Sequence, residues 1–185
     1  MKQYSYPHTI NNGHGEELTF LRIVKDKDGI DKLEVENRVQ PNSGPPMHTH
    51  FLQDEGLTVI EGKIGVQVFG GKKEIFGEGY SATFTRGTAH SFWNAGDDVL
   101  ICEGWLKPPH NLEYFLTEIY RSTKENSKPM PQPFDAAFLM NRYKSEFEMI
   151  GIPAFVRNVI FPITLFFGKL TGKDKKFKDA PVAIK

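Results

Sequence analysis

The sequence predicts a mainly β protein, a small closed barrel or jelly roll, followed by an α-helical C-terminal extension. Two observations carry this reading. From Leu18 to about Leu106, short runs rich in β-branched and aromatic residues are separated by glycine and aspartate turns, with no helix-length periodic run among them. After Pro108 and Pro109 the apolar spacing changes from two to three-and-four. At 185 residues the chain suits one ordinary domain with a proper core and an appendage. The expected division is residues 1–110 for the barrel and 111–185 for the helical extension.

Leu18–Val24 and Leu33–Val39 flank the turn Lys25–Gly29 and read as a hairpin bent at Asp28-Gly29. Leu57–Ile60 leads to Gly62. Ile64, Val66 and Val68 then alternate with their neighbours until Gly70-Gly71 turns the chain again. Tyr80–Thr85, Ala89–Trp93 and Val99–Leu106 complete a set of about eight strands, a number that suits a closed barrel.

In the extension, Asn111 is placed to cap a helix carrying Leu112, Phe115, Leu116 and Ile119. A proline-rich loop follows. Ala136, Leu139, Met140, Tyr143, Phe147 and Ile150 form one face of a second helix that Gly151 ends. Pro153 opens a third helix with Val156, Val159, Ile160, Ile163, Phe167 and Leu170 on its apolar face, and Pro162 is expected to kink it. The extension has too little apolar surface for a domain of its own, so packing on the barrel or on a second subunit is expected. Lys169, Lys173, Lys175, Lys176 and Lys178 raise the alternative of an interfacial membrane helix, which ranks below a soluble partner.

Lysine plus arginine and aspartate plus glutamate both number 23, so nothing favours nucleic acid, and no DNA-reading helix with a basic cluster is visible. The one cysteine, Cys102, excludes an internal disulfide framework and reads as an inert core thiol. Met1–Gly15 is polar and lacks the apolar run of a signal peptide, which makes the cytoplasm the expected compartment. Ile152–Phe167 is interrupted by Arg157, Asn158 and Pro162, and is shorter than the roughly 20 residues of a spanning helix. A membrane partner is therefore not expected.

Chemistry concentrates between Gly44 and Asn94. Alternate side chains share a face of a strand, so His48 and His50 project to one side at a spacing that lets two imidazoles reach one ion. Glu55, after a short bend, can add a carboxylate oxygen, and His90 comes from a strand distant in sequence but adjacent in a barrel. Three histidines and one carboxylate leave positions open on a six-coordinate metal.

These two glycine-bounded halves resemble the two motifs of the cupin superfamily. The first matches at His48, His50, Glu55 and Gly62, the second at Gly79, Gly87, His90 and Asn94. Three rather than five residues separate Gly44 from the first histidine, and Thr85 stands in the usual proline position. The resemblance spans residues 18–106 and implies a double-stranded β-helix in which His48, His50, Glu55 and His90 hold one divalent transition metal ion. Iron, manganese, nickel, copper and zinc all accept such ligands. It also implies pairing into a homodimer.

Among the aromatics, Phe84, Phe92, Trp93 and Trp105 are candidates to line a pocket. Phe92 is the best placed, because alternation gives it the face of His90 and denies that face to Trp93. Glu103 is a candidate second acid or base. His8, His14 and His110 read as surface residues. The function this implies is a small metalloenzyme, dioxygenase-like, acting on a small organic substrate, with Glu55 as a base that loosens from the ion. The alternative is a binding or sensing module that holds a small ligand without transforming it. A sugar isomerase is less well supported, since no further histidine and tyrosine pair stands out.

Overall fold

A computed structural model describes residues 4–185; the start of the polar N-terminal arm, residues 1–3, lies outside it. Eleven strands are found among the described residues: β1 (His8–Asn11), β2 (Glu16–Lys25), β3 (Asp31–Val39), β4 (His48–His50), β5 (Asp54–Glu61), β6 (Ile64–Val68), β7 (Glu74–Phe76), β8 (Ser81–Phe84), β9 (His90–Asn94), β10 (Leu100–Lys107) and β11 (Phe147–Met149). Two antiparallel sheets result, in the orders β1-β2-β3-β10-β5-β8 and β11-β4-β9-β6-β7. This is the jelly-roll arrangement expected for a mainly β chain.

The predicted hairpin is β2 and β3, paired from Glu16 opposite Val39 to Lys25 opposite Asp31. Between the sheets Val39, Leu57, Val59, Ile64, Val66, Phe84, Phe92, Leu100 and Cys102 form one buried cluster. Alternation explains which residues are inside, because Leu57 and Val59 on β5 and Leu100 and Cys102 on β10 lie two apart.

The helices are α1 (Leu112–Lys124), α2 (Pro133–Arg142) and α3 (Phe161–Leu170), with a π-helical segment Val156–Ile160 leading into α3 and a short 3-10 helix at Lys173–Phe177. Helices α1 and α2 share a second core with the barrel: Leu18, Phe20, Leu33, Val35 and Leu106 pack with Leu112, Phe115, Phe134, Leu139 and Tyr143. The expected contact between extension and barrel is thus present for these two helices. No helix of the described residues is long and apolar enough to cross a membrane.

Three local expectations are corrected, for the N-terminal arm, Asn111 and the end of the second helix. Residues 8–11 of the polar arm form β1 on the edge of β2, and His8 is no simple surface residue, since its Nδ1 lies 2.9 Å from Glu113 Oε1. Asn111 precedes α1, but its amide does not cap the helix; it donates to Glu146 Oε1 at 2.7 Å and to the Val182 carbonyl at 2.9 Å. The second helix stops at Arg142, not near Ile150, because Phe147–Met149 pairs with the free edge of β4, Phe147 opposite His50 and Met149 opposite His48. That ladder satisfies the backbone of both segments and buries Phe147, which a continued helix would not do. Pro162 has no N–H to return to Asn158, and the disturbance it causes takes the form of the π-helical segment immediately before it.

Candidate metal centre

Each sheet contributes to the site. His48 and His90 face each other directly across the β4–β9 pair, His50 lies two residues along β4, and Glu55 comes from β5 in the opposite sheet. One donor atom from each of His48, His50, Glu55 and His90 lies within 4.8 Å of the others. The chain folds this way locally because Gly87, with φ of +82°, turns β8 toward β9, and its N–H donates to the His50 carbonyl at 2.7 Å. This bond ties the second motif to the first.

Backbone carbonyls set the histidine tautomers. A carbonyl only accepts, so the Nδ1 of His48 donates to Pro46 at 2.7 Å and the Nδ1 of His90 donates to Thr88 at 2.9 Å, turning both Nε2 atoms toward the cluster. Glu55 Oε2 lies 3.1 Å from Nε2 of His50 and 3.2 Å from Nε2 of His90. The buried Nδ1 of His50 and both amide atoms of buried Gln53 lack a hydrogen-bond partner among the described residues. Nothing in the structure explains these two.

Electrostatics follow from this packing. Burial, with the neighbouring imidazoles of His50 and His90, pushes the His48 pKa down to about 3, so His48 is neutral at physiological pH and able to donate a lone pair. Burial opposes charge on Glu55, but its hydrogen bonds to His50 and His90 outweigh that and hold the carboxyl well below its ordinary range. For His90 burial again opposes charge, and Glu55 more than compensates, raising the pKa. Three imidazole nitrogens with an ionised carboxylate form a donor set that fits an ion of the first transition series. The set does not choose among those ions.

His48, His50 and Glu55 open on a cavity of about 290 Å³. Its other walls include Leu57, Phe92, Leu116, Ile119, Tyr120 and Met140, so the helical extension closes a space the barrel begins. Phe92 is thus one of the cavity walls. Phe84 instead stacks flat on His90, with ring centroids 3.9 Å apart, and borders a separate depression with Val68 and Thr88. Glu103 is exposed at the cavity rim, between the buried Cys102 and the half-buried Gly104. Trp105 crosses Gly56, where any side chain would meet the indole at 2.3 Å. Trp93 lies against Gly65 in the same way.

Two cavity residues escape the sequence reading. Glu16 accepts hydrogen bonds from Asn12 at 2.8 Å and from the Tyr120 hydroxyl at 3.1 Å, and all three line the cavity. Burial raises the Glu16 carboxyl above its ordinary range, the two hydrogen bonds notwithstanding, and drives the Tyr120 phenol well above its own. A signal existed for Glu16, which alternates with Leu18 and Phe20 on the inward face of β2. Tyr120 gave none beyond its position one residue after Ile119 on α1.

Residues 35–102 match the family model described as a cupin domain. This segment, about a third of the chain, is thus similar to the cupin domain family. It is also 27% identical over 109 residues, 55% of this chain and 48% of the other, to the probable oxidoreductase virH of Hypocrea virens. The chain thus spans about half the length of that relative. Among solved structures, KdgF from Halomonas sp. is similar at 16% identity with a TM-score of 0.49, covering 57% of this chain and 92% of that one. A predicted oxalate decarboxylase from Thermotoga maritima is similar at 20% identity with a TM-score of 0.44, covering 55% and 91%.

Proposed function

We propose that the protein is a small dioxygenase-like metalloenzyme acting on a small, largely apolar organic molecule. The observation that carries this is the opening of the donor cluster onto an apolar cavity: His48, His50 and Glu55 share one space with Leu57, Phe92, Leu116 and Ile119. His48, His50, Glu55 and His90 would hold one divalent transition metal ion. When bound, such an ion supplies Lewis acidity and open positions for a substrate oxygen or for dioxygen. The carbonyls of Pro46 and Thr88 keep His48 and His90 in the donating orientation. The apolar walls exclude water from the reacting end of the substrate.

Glu55 is a weak base while both imidazoles hold it, and it gains basicity only as those contacts loosen. Glu16 is a stronger base than Glu55 in this setting, because burial raises its carboxyl above its ordinary range and Tyr120 supplies a hydroxyl beside it. The relative from Hypocrea virens, described as a probable oxidoreductase, agrees in reaction class over the part it shares.

The test is oxygen uptake by metal-loaded protein with phenolic and enol substrates. Consumption that disappears in His90→Ala supports the proposal. The absence of turnover with iron, manganese, nickel, copper and zinc alike refutes it. Saturable ligand binding without turnover would then identify the same cavity as the site of a binding or sensing module.

A further inference from the structure

The last helix is apolar on the side that nothing covers. Inward, Val156, Phe161, Thr164, Leu165 and Gly168 are at least half-buried, with α3 packed on α2. Gly168 permits this approach, since a Cβ there would come within 2.0 Å of the Phe134 ring. Outward, Phe155, Ile160, Ile163, Phe166, Phe167 and Leu170 are 41% to 68% exposed. A soluble helix shows the opposite pattern, and a contiguous apolar face of this kind marks an interaction site.

Charge indicates the partner. Residues 152–178 carry Arg157, Lys169, Lys173, Lys175, Lys176 and Lys178 against the single acid Asp174, in a chain whose charges balance overall, so the excess of positive charge is local to this segment. Arg157 pairs with Glu148, and Lys176 pairs with Asp135. Lys169, Lys173, Lys175 and Lys178 are exposed and form no ion pair among the described residues. An apolar face bordered by free lysines is complementary to anionic headgroups over hydrocarbon.

A second copy fits less well. In a two-fold contact the same patch meets itself. The lysines at the end of α3 would then face either the partner's lysines, where Asp174 and Asp179 are outnumbered, or the Arg157 end of its helix, where Glu148 is already paired.

We propose that this face docks the protein on an anionic lipid surface. The helix lies in the plane of the headgroups, its phenylalanines and leucine reach the acyl boundary, and Lys169, Lys173, Lys175 and Lys178 contact phosphates. The proposal concerns a helix lying on the membrane, as α3 is too short to cross one.

Flotation of the full chain with phosphatidylcholine vesicles, and with phosphatidylcholine vesicles containing phosphatidylglycerol, tests this. Recovery should be at least about tenfold higher with the anionic vesicles, and should fall about fivefold for each lysine replaced by glutamine. The double variant Phe166→Asp/Phe167→Asp should abolish recovery while keeping the wild-type thermal midpoint, since both residues are exposed. Failure to float with either vesicle overturns the proposal. So does a dimer in sedimentation velocity that the same double variant dissolves, which would make a second copy the partner.

Discussion

Replacing Phe147 by alanine tests whether the helical extension is part of the metal centre's scaffold. The side chain is only 7% exposed. Its ring lies edge-on to His50 at 5.6 Å and against Phe115 at 4.8 Å, so it joins α1 to the strand that bears two of the three histidines. Truncating a buried phenylalanine costs about 3–5 kcal/mol, which for a domain of this size lowers the thermal midpoint by about 6–20 °C. Removing the ring also frees His50 to rotate, because its Nδ1 has no hydrogen bond to fix it. Loss of an orienting neighbour should weaken metal binding by about tenfold. Thermal unfolding followed by circular dichroism, with metal titration of the folded variant, measures both effects. Phe147→Leu keeps most of the volume and should cost under about 1.5 kcal/mol. A midpoint drop below about 2 °C for the alanine variant would refute the reasoning, since β11 would then contribute little to β4.

Other consequences follow from the buried groups. Cys102 is buried, and desolvation pushes its pKa up to about 12, so a thiol reagent at pH 8 should label the protein only after denaturant is added. Labelling of the native chain at the rate of a free thiol would contradict the core assignment. Glu16 has a folded pKa raised by burial. Its contribution to stability is therefore fully present below the unfolded value of about 4.3 and is lost as pH rises through the folded one. Glu16→Gln should flatten this decline in urea unfolding between pH 4 and 7, and parallel wild-type and variant profiles would show that Glu16 is not desolvated. Gly168→Val should dislodge α3 from Phe134 and raise protease cleavage in residues 150–172, leaving the barrel intact.

The barrel was legible because its signals are local. The Asp28-Gly29 turn between alternating runs is visible without any tertiary contact, and the spacing of His48 and His50 already puts both on one face. What escaped the sequence depends on contacts between distant segments. Phe147 continues the helical spacing of Leu139 and Tyr143, and only the open edge of β4 makes Phe147–Met149 a strand. Asn111 has the residue type of a helix cap, yet its side chain is turned to donate its amide N–H to buried Glu146. Phe84 reads as a pocket aromatic from its strand, but its ring is taken by His90. Glu16 and Tyr120, 104 residues apart, meet only because α1 closes the barrel's open side.

The central claim is that His48, His50, Glu55 and His90 together hold one metal ion. Elemental analysis of the purified full chain, beside His48→Ala, His90→Ala and Glu55→Gln variants that retain the wild-type circular dichroism spectrum, tests it most directly. The account predicts about one transition metal ion per chain in the wild type and its loss in both histidine variants, with Glu55→Gln binding more weakly. Equal metal content in the wild type and both histidine variants would contradict it.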